Sequence, residues 1–146
     1  MNKKKPHNMT ASYLILMKDN KVLLQRRYNT GYNDGKYGIP SGHVEKNETF
    51  TQTLIREVKE EIGITLKTDD VNIVHIMHRK SEEKVEWVDA FFITNKQQDE
   101  VKNMEPNKCD DLSWFPIDNL PDNTIDYIRF VFEQIKDKKF YSEYGW

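Results

Sequence analysis

The stretch from Thr49 to Gly63 restricts the fold more than any other part of the chain. Leu54, Ile55, Val58 and Ile62 recur at helical spacing, Thr49 and Gln52 make a capping-box pattern at the start, and Gly63 supplies the stop. At roughly 100° per residue these apolar side chains fall within about a third of the circumference, so the helix needs a core to lie on. Glu57, Glu60 and Glu61 cluster on a separate arc. Carboxylates three and four positions apart repel by about a few tenths of a kcal/mol per exposed pair, which weakens the helix unless something cationic sits there. A hard divalent ion, Mg²⁺ or Mn²⁺, would resolve the conflict, because such ions take oxygen ligands and share their remaining positions with water and phosphate. A solvated glutamate-rich face is the other reading of the same residues.

The segments around this helix read mainly as strands. Ala11 to Met17 and Val22 to Tyr28 flank the polar Lys18-Asp19-Asn20-Lys21, a hairpin-like turn, and Asn29 to Gly35 forms a polar loop. Val71 to His78, Val85 to Thr94 and the short Leu112 to Phe115 are further strands, while Thr124 to Lys136 repeats an apolar helical pattern. Strands alternating irregularly with two helices point to an α/β fold, an α/β/α sandwich on a mixed β-sheet. The 146 residues suit one domain, 1–146, and carry no internal repeat or low-complexity linker.

Composition narrows the function. With 22 Lys+Arg against 24 Asp+Glu the net charge is −2, which argues against coating a polyanion and leaves a small or locally gripped ligand; no stable nucleic-acid partner is expected. One cysteine cannot form an internal disulfide or a thiolate metal site, so a reducing cytoplasm is the expected compartment. The longest apolar run, Tyr13 to Met17, is too short for a membrane span or a signal-peptide core, despite the basic Lys3-Lys4-Lys5.

Gly42, Glu48, Arg56-Glu57-Val58, Glu60-Glu61 and Gly63-Ile64 occupy every defined position of the Nudix box, and the chain thereby resembles the Nudix hydrolases, which act on nucleoside diphosphates linked to another group. Tyr37-Gly38-Ile39-Pro40-Ser41-Gly42 is similar to the loop that enters the box, with Tyr and Ser where Trp and Gly are usual. Asn103 to Asp110 and Trp114-Phe115-Pro116 resemble a later region of the MutT-type nucleoside triphosphate pyrophosphatases. The resemblance implies the Nudix fold, with Glu57 and Glu61 as metal ligands, Glu60 as a further ligand or water-orienting base, and the Gly42 carbonyl completing the site. Arg56 is given the role of holding these carboxylates in register. Glu48 is either an outer ligand or scaffold for that arginine, or an ordinary acid at a helix entry.

Other candidates follow from the same resemblance and from strand geometry. Arg27 matches a phosphate-contacting arginine, and because neighbours on a strand point to opposite faces, at most one of Arg26 and Arg27 faces the site. Glu105 resembles a loop acid that reaches the metals or the water, or else is solvent-exposed. Tyr28, Tyr32, Tyr37, Trp87 and Trp114 are candidates to stack on a base, or core aromatics, with Tyr37 taken as a substrate-binding residue. His75 and His78, three apart in a strand, should face opposite ways and not share a metal. Cys109 reads as a packing residue, and the aromatic tail Phe140 to Trp146 as a segment docked on the domain or on a second subunit of a homodimer.

Subgroup markers help with the substrate. No proline lies between Pro40 and Pro106 and no tyrosine between Tyr37 and Tyr127, so ADP-ribose and dinucleoside polyphosphates lose weight. The expectation is therefore Mg²⁺-dependent hydrolysis of a nucleoside triphosphate, an NTP or dNTP that includes oxidised or modified purine forms, to monophosphate and pyrophosphate. The alternatives are removal of pyrophosphate from triphosphorylated RNA 5′ ends and a non-catalytic nucleotide-sensing module.

Overall fold

Side chains alternate across a strand, so an unbroken apolar run implies that both faces are covered. The computed structural model, which describes residues 4–96 and 100–146, has this arrangement. Lys3 of the basic start lies outside the described residues. Strand β1 (Met9–Leu14) and the residues after it send Tyr13 and Ile15 into one core and Leu14 and Leu16 into another. Strands β2 (Met17–Lys18) and β3 (Lys21–Arg27) form the expected hairpin, with β3 sending Val22 and Leu24 to the first core and Leu23 to the second. Its turn places Asp19 and Asn20 at positive φ, the left-handed conformation that tight hairpins require.

Strand β4 (Tyr37–Gly38) pairs with β3, and β5 (Ser41–His43) pairs with β1, so the chain passes from one sheet to the other just before the main helix. Helix α1 (Phe50–Ile62) has Thr49 as its N-cap, with the capping box formed and Gly63 at φ 75° donating its N–H to Lys59 O. After it come β6 (Val71–Lys80), β7 (Glu86–Thr94), β8 (Cys109–Pro116), α2 (Asp126–Lys136) and β9 (Tyr141–Tyr144). The first sheet, ordered β5-β1-β7-β6-β9, is mixed, with β1/β7 and β6/β9 parallel; β2, β3, β4 and β8 make a second, antiparallel sheet. Leu54, Val58 and Ile62 of α1 cover one core, and Ile128, Val131 and Phe132 of α2 cover the other. This is the expected α/β sandwich on a mixed sheet.

Two boundaries differ from the sequence expectation for identifiable reasons, and the aromatic tail takes one of its two expected places. The first strand stops at Leu14 because the Leu14 N–H turns to Pro40 O while Ile15 N–H stays with Phe92 O. The second helix begins at Asp126 because Thr124 and Ile125 are held by Tyr37, Ile125 N–H donating to Tyr37 O at 2.8 Å. The tail folds back on its own domain as β9, where the Trp146 indole N–H donates to His78 O at 3.0 Å. His75 and His78 do face opposite ways: His75 is buried between Ser142 and Lys139 O, whereas His78 meets the Trp146 ring. Among the described residues no helix is long and apolar enough to cross a membrane.

Candidate active site

Helix α1 carries Glu57, Glu60 and Glu61 on the arc beside its buried stripe, and strand β5 passes across this arc. Gly42 makes the approach possible: a Cβ there would lie 2.1 Å from Glu57 Cγ, so any side chain would displace the glutamate. The Ser41 N–H donates to Glu61 Oε2 at 3.1 Å, and Gln25 Nε2 donates to the same oxygen at 3.2 Å. Burial pushes the Glu61 carboxyl up to about 8, the nearby Glu57 adds to that, and the two hydrogen bonds oppose it. Burial also raises Glu57, while Arg56 works the other way.

Arg56 is the organising cation. Its Nε and Nη2 grip Glu48 at 2.8 and 3.0 Å, and its Nη1 donates to Glu57 Oε1 at 2.7 Å and to Glu60 Oε2 at 3.5 Å. Glu48 also accepts from the buried Thr53 hydroxyl at 2.6 Å, and Arg56 with Thr53 holds its carboxyl down at about 2. Of the two readings of Glu48, the geometry supports the scaffold for the arginine. The later loop joins the same cleft because it closes off α1: Lys102 N–H donates to Ile62 O and Met104 N–H to Glu61 O, both at 3.0 Å. Asn103 then bonds both Glu105 N–H and Cys109 O, which fixes Glu105 and Lys108 at the cleft wall.

The result is a polar cleft of about 430 Å³ in which Glu57, Glu60, Glu61 and Glu105 face Arg27 and Lys108. Arg27 sits on the strand face shared with Gln25, and a bulge between Arg26 and Arg27 interrupts the ladder. Tyr32 O and Thr30 Oγ1 accept its Nε and Nη2, within a loop that Asp34 ties together through Thr30 and Gly31. Arg26 lines the cleft as well, against the expectation that at most one of the two does, and is bonded to Asp110 at 2.7 Å and lies over the Tyr37 ring.

Tyr37 requires a correction. It is 6% exposed, hydrogen-bonded through its hydroxyl to Asp111 and edge-on to Phe115, and it is not among the residues lining the cleft. Pairing of β4 with β3 turns the ring into the first core, so it cannot stack on a substrate. Trp114 packs against the second core and Tyr28 is exposed, whereas Tyr32 and Trp87 line a second cavity next to the cleft. Cys109 is a packing residue as expected, its thiol donating to Asp111 O, although it also forms part of the cleft lining. Sequence reasoning missed Gln25 and Lys108. The period of two along β3 places Gln25 beside Arg27, a signal that was readable; Lys108 reaches the cleft through a loop whose path is set by α1.

The donor set suits a hard divalent cation. Glu61 is a half-buried carboxylate with no cationic partner among the described residues, Glu57 shares one arginine with Glu48 and Glu60, and the ligand atoms are all oxygens. Among the described residues no three such groups already converge on one point, and Glu57 would have to turn from Arg56 to join an ion.

Comparison with known proteins agrees with this geometry. The NUDIX domain family matches residues 6–134. An ADP-ribose pyrophosphatase of Methanocaldococcus jannaschii is 28% identical over 132 residues, covering 90% of this chain and 76% of that protein. An 8-oxo-dGTP diphosphatase of Proteus vulgaris is 42% identical over 64 residues, 44% of this chain and 55% of its own length. In three dimensions a MutT NUDIX hydrolase from Burkholderia pseudomallei superposes with a TM-score of 0.79 at 24% identity, covering 89% of this chain and 99% of that one. With the box complete on α1 and β5, and the family matched along most of its length, the chain belongs to the Nudix hydrolases, enzymes that cleave pyrophosphate bonds in nucleoside diphosphate-linked compounds.

Proposed function

We propose that the protein is a Mg²⁺-dependent pyrophosphohydrolase that converts a nucleoside triphosphate, an NTP or dNTP including oxidised or modified purine forms, to the monophosphate and pyrophosphate. The observation that carries this reading is the cleft in which Glu57, Glu60, Glu61 and Glu105 face Arg27 and Lys108, acids for a cation beside bases for phosphate. Support for a triphosphate comes from the Proteus relative's name and from the absence of the proline marker of ADP-ribose enzymes.

Glu57, Glu60, Glu61 and the Gly42 carbonyl would hold Mg²⁺, with Mn²⁺ as a substitute. When bound, the ion neutralises phosphate oxygens and makes water a better nucleophile. Arg56 positions Glu57 and Glu60, with Glu48, itself bonded by the Thr53 hydroxyl, fixing the guanidinium from behind. Arg27 and Lys108 bind the phosphate chain, and a carboxylate of the cluster takes the proton of the attacking water. Pyrophosphate leaves without a covalent intermediate.

The test is incubation with Mg²⁺ and a panel of canonical and oxidised triphosphates, ADP-ribose, nucleotide sugars and triphosphorylated RNA, with products identified by mass. Monophosphate plus pyrophosphate from triphosphates, lost in Glu57→Gln and Glu61→Gln, is the expected result. Cleavage confined to ADP-ribose or to RNA ends would replace the substrate; silence across the panel, or activity surviving both substitutions, would favour the sensing module.

A further inference from the structure

Beside the acidic cleft, and sharing Arg27 and Thr30 with it, lies a second cavity of about 460 Å³ walled by the rings of Tyr32, His43, Trp87 and Tyr127. Its volume and its aromatic walls suit a flat heterocycle whose phosphates reach the cleft. Among these rings stands one buried cation. Arg79 is 4% exposed, with its Cζ 4.0 Å from the centroid of Tyr127 and 5.1 Å from that of Trp87. Asp89, fully buried, accepts from Arg79 Nε at 2.6 Å and Nη2 at 3.3 Å, and the Tyr13 hydroxyl donates to the same carboxylate at 3.2 Å.

This geometry decides what Arg79 can recognise. Asp89 cancels its charge, so the pair offers little attraction to a phosphate. Its orientation is locked by the bidentate contact and the flanking rings, so it acts as a fixed hydrogen-bond donor. Nη1 has no hydrogen-bond partner in the protein, yet it is not sealed off, because the one buried unpartnered side-chain nitrogen or oxygen among the described residues is His78 Nε2. Its two N–H groups have no acceptor capacity and cannot lose a proton, so a neutral carbonyl oxygen at the ring position they face accepts from them, whereas an exocyclic amine, itself a donor, does not. We propose that Arg79 selects the base of the substrate by donating from Nη1 to a ring carbonyl, so that guanine and uracil are preferred over adenine. The assignment rests on the nucleotide reading above and adds the residue that sets base preference.

Inosine triphosphate and purine riboside triphosphate differ only at the C6 carbonyl and its N1 proton, so they isolate this contact on the wild-type enzyme. A kcat/KM ratio of roughly tenfold or more in favour of inosine is expected, with GTP and UTP above ATP. In the Arg79→Gln/Asp89→Asn double variant, which removes the charge pair together, that ratio should collapse. Binding of inosine monophosphate and purine riboside monophosphate without metal, followed by quenching of Trp87 fluorescence and identified by its loss in Trp87→Phe, tests the contact independently of hydrolysis. Carbonyl preference in binding with no triphosphate cleaved would sink the hydrolase reading and leave the Arg79 assignment standing. Equal use of the inosine and purine riboside nucleotides, or a ratio that survives in a folded double variant, would overturn it; if that variant does not fold, the wild-type ratio decides.

Discussion

In the cleft on α1, Glu57 and Glu60 share an arginine already engaged by Glu48 while Glu61 has no cation beside it among the described residues, whereas at the adjoining cavity Arg79 and Asp89 neutralise each other one to one. Both regions bury charge, and they do so with opposite consequences. The cleft sets Glu57, Glu60, Glu61 and Glu105 beside Arg27 and Lys108, acids for a cation next to bases for an anion, so its chemistry is coupled to a ligand. The Arg79–Asp89 pair has its main partner inside the protein and gives direction instead of net attraction. A folded chain therefore reads its substrate with two instruments, one for charge and one for hydrogen-bond pattern.

Breaking one partner of the internal pair should have the largest effect. Asp89→Ala leaves Arg79 buried and uncompensated, and a loss of about 3–5 kcal/mol in denaturant unfolding is expected. In the cleft, Gly42→Ala should leave the fold nearly intact but push Glu57 aside, lowering kcat on the order of a hundredfold, measured beside an unchanged circular dichroism spectrum. Glu61→Gln should do what no substitution of Asp89 can: raise the stability of the chelator-treated protein by about 1 kcal/mol, roughly 3 °C in Tm, while abolishing the further rise that Mg²⁺ gives the wild type. An unchanged or lowered Tm would mean that Glu61 is not an uncompensated carboxylate.

The smallest effect concerns pH. The folded Glu48 carboxyl is held at about 2 against an ordinary 4.5, so its contribution is fully present above about pH 4.5 and is lost as pH falls through about 2. The stability gap between wild type and Glu48→Gln should therefore be constant above about pH 4.5 and close as pH falls below it, with the variant the flatter of the two. A gap that stays unchanged as pH falls through that range would remove Glu48 from the role of scaffold for Arg56.

What was legible followed from local periodicity. The acidic arc of α1, its Thr49 cap and its Gly63 stop depend on residues within one or two turns of each other, and each was found where the spacing placed it. Arg27 follows from the family resemblance, and the period of two, which admits one arginine at most, fails here because a bulge separates Arg26 from Arg27 and both line the cleft. Tyr37 misled because an aromatic at the entry to a phosphate-type loop gives no local sign of being inward; its burial depends on Asp111 and Phe115, more than seventy residues away. The four-residue strand β9 was missed for the same reason, since its pairing partner lies across α2.

The sequence alone determined the helix, the order of its carboxylates, the glycine that lets β5 approach them and the balanced charge that points to a small ligand. These rest on helical and strand periods, which act over a few residues. Only the tertiary structure decided that Gln25, Glu105 and Lys108 join that cleft, that Tyr37 leaves it, and that Arg79, held by the buried Asp89, lines the cavity next door. Such contacts pair residues from different strands and loops, and their geometry is set by sheet register and by the two cores, which no window along the chain contains.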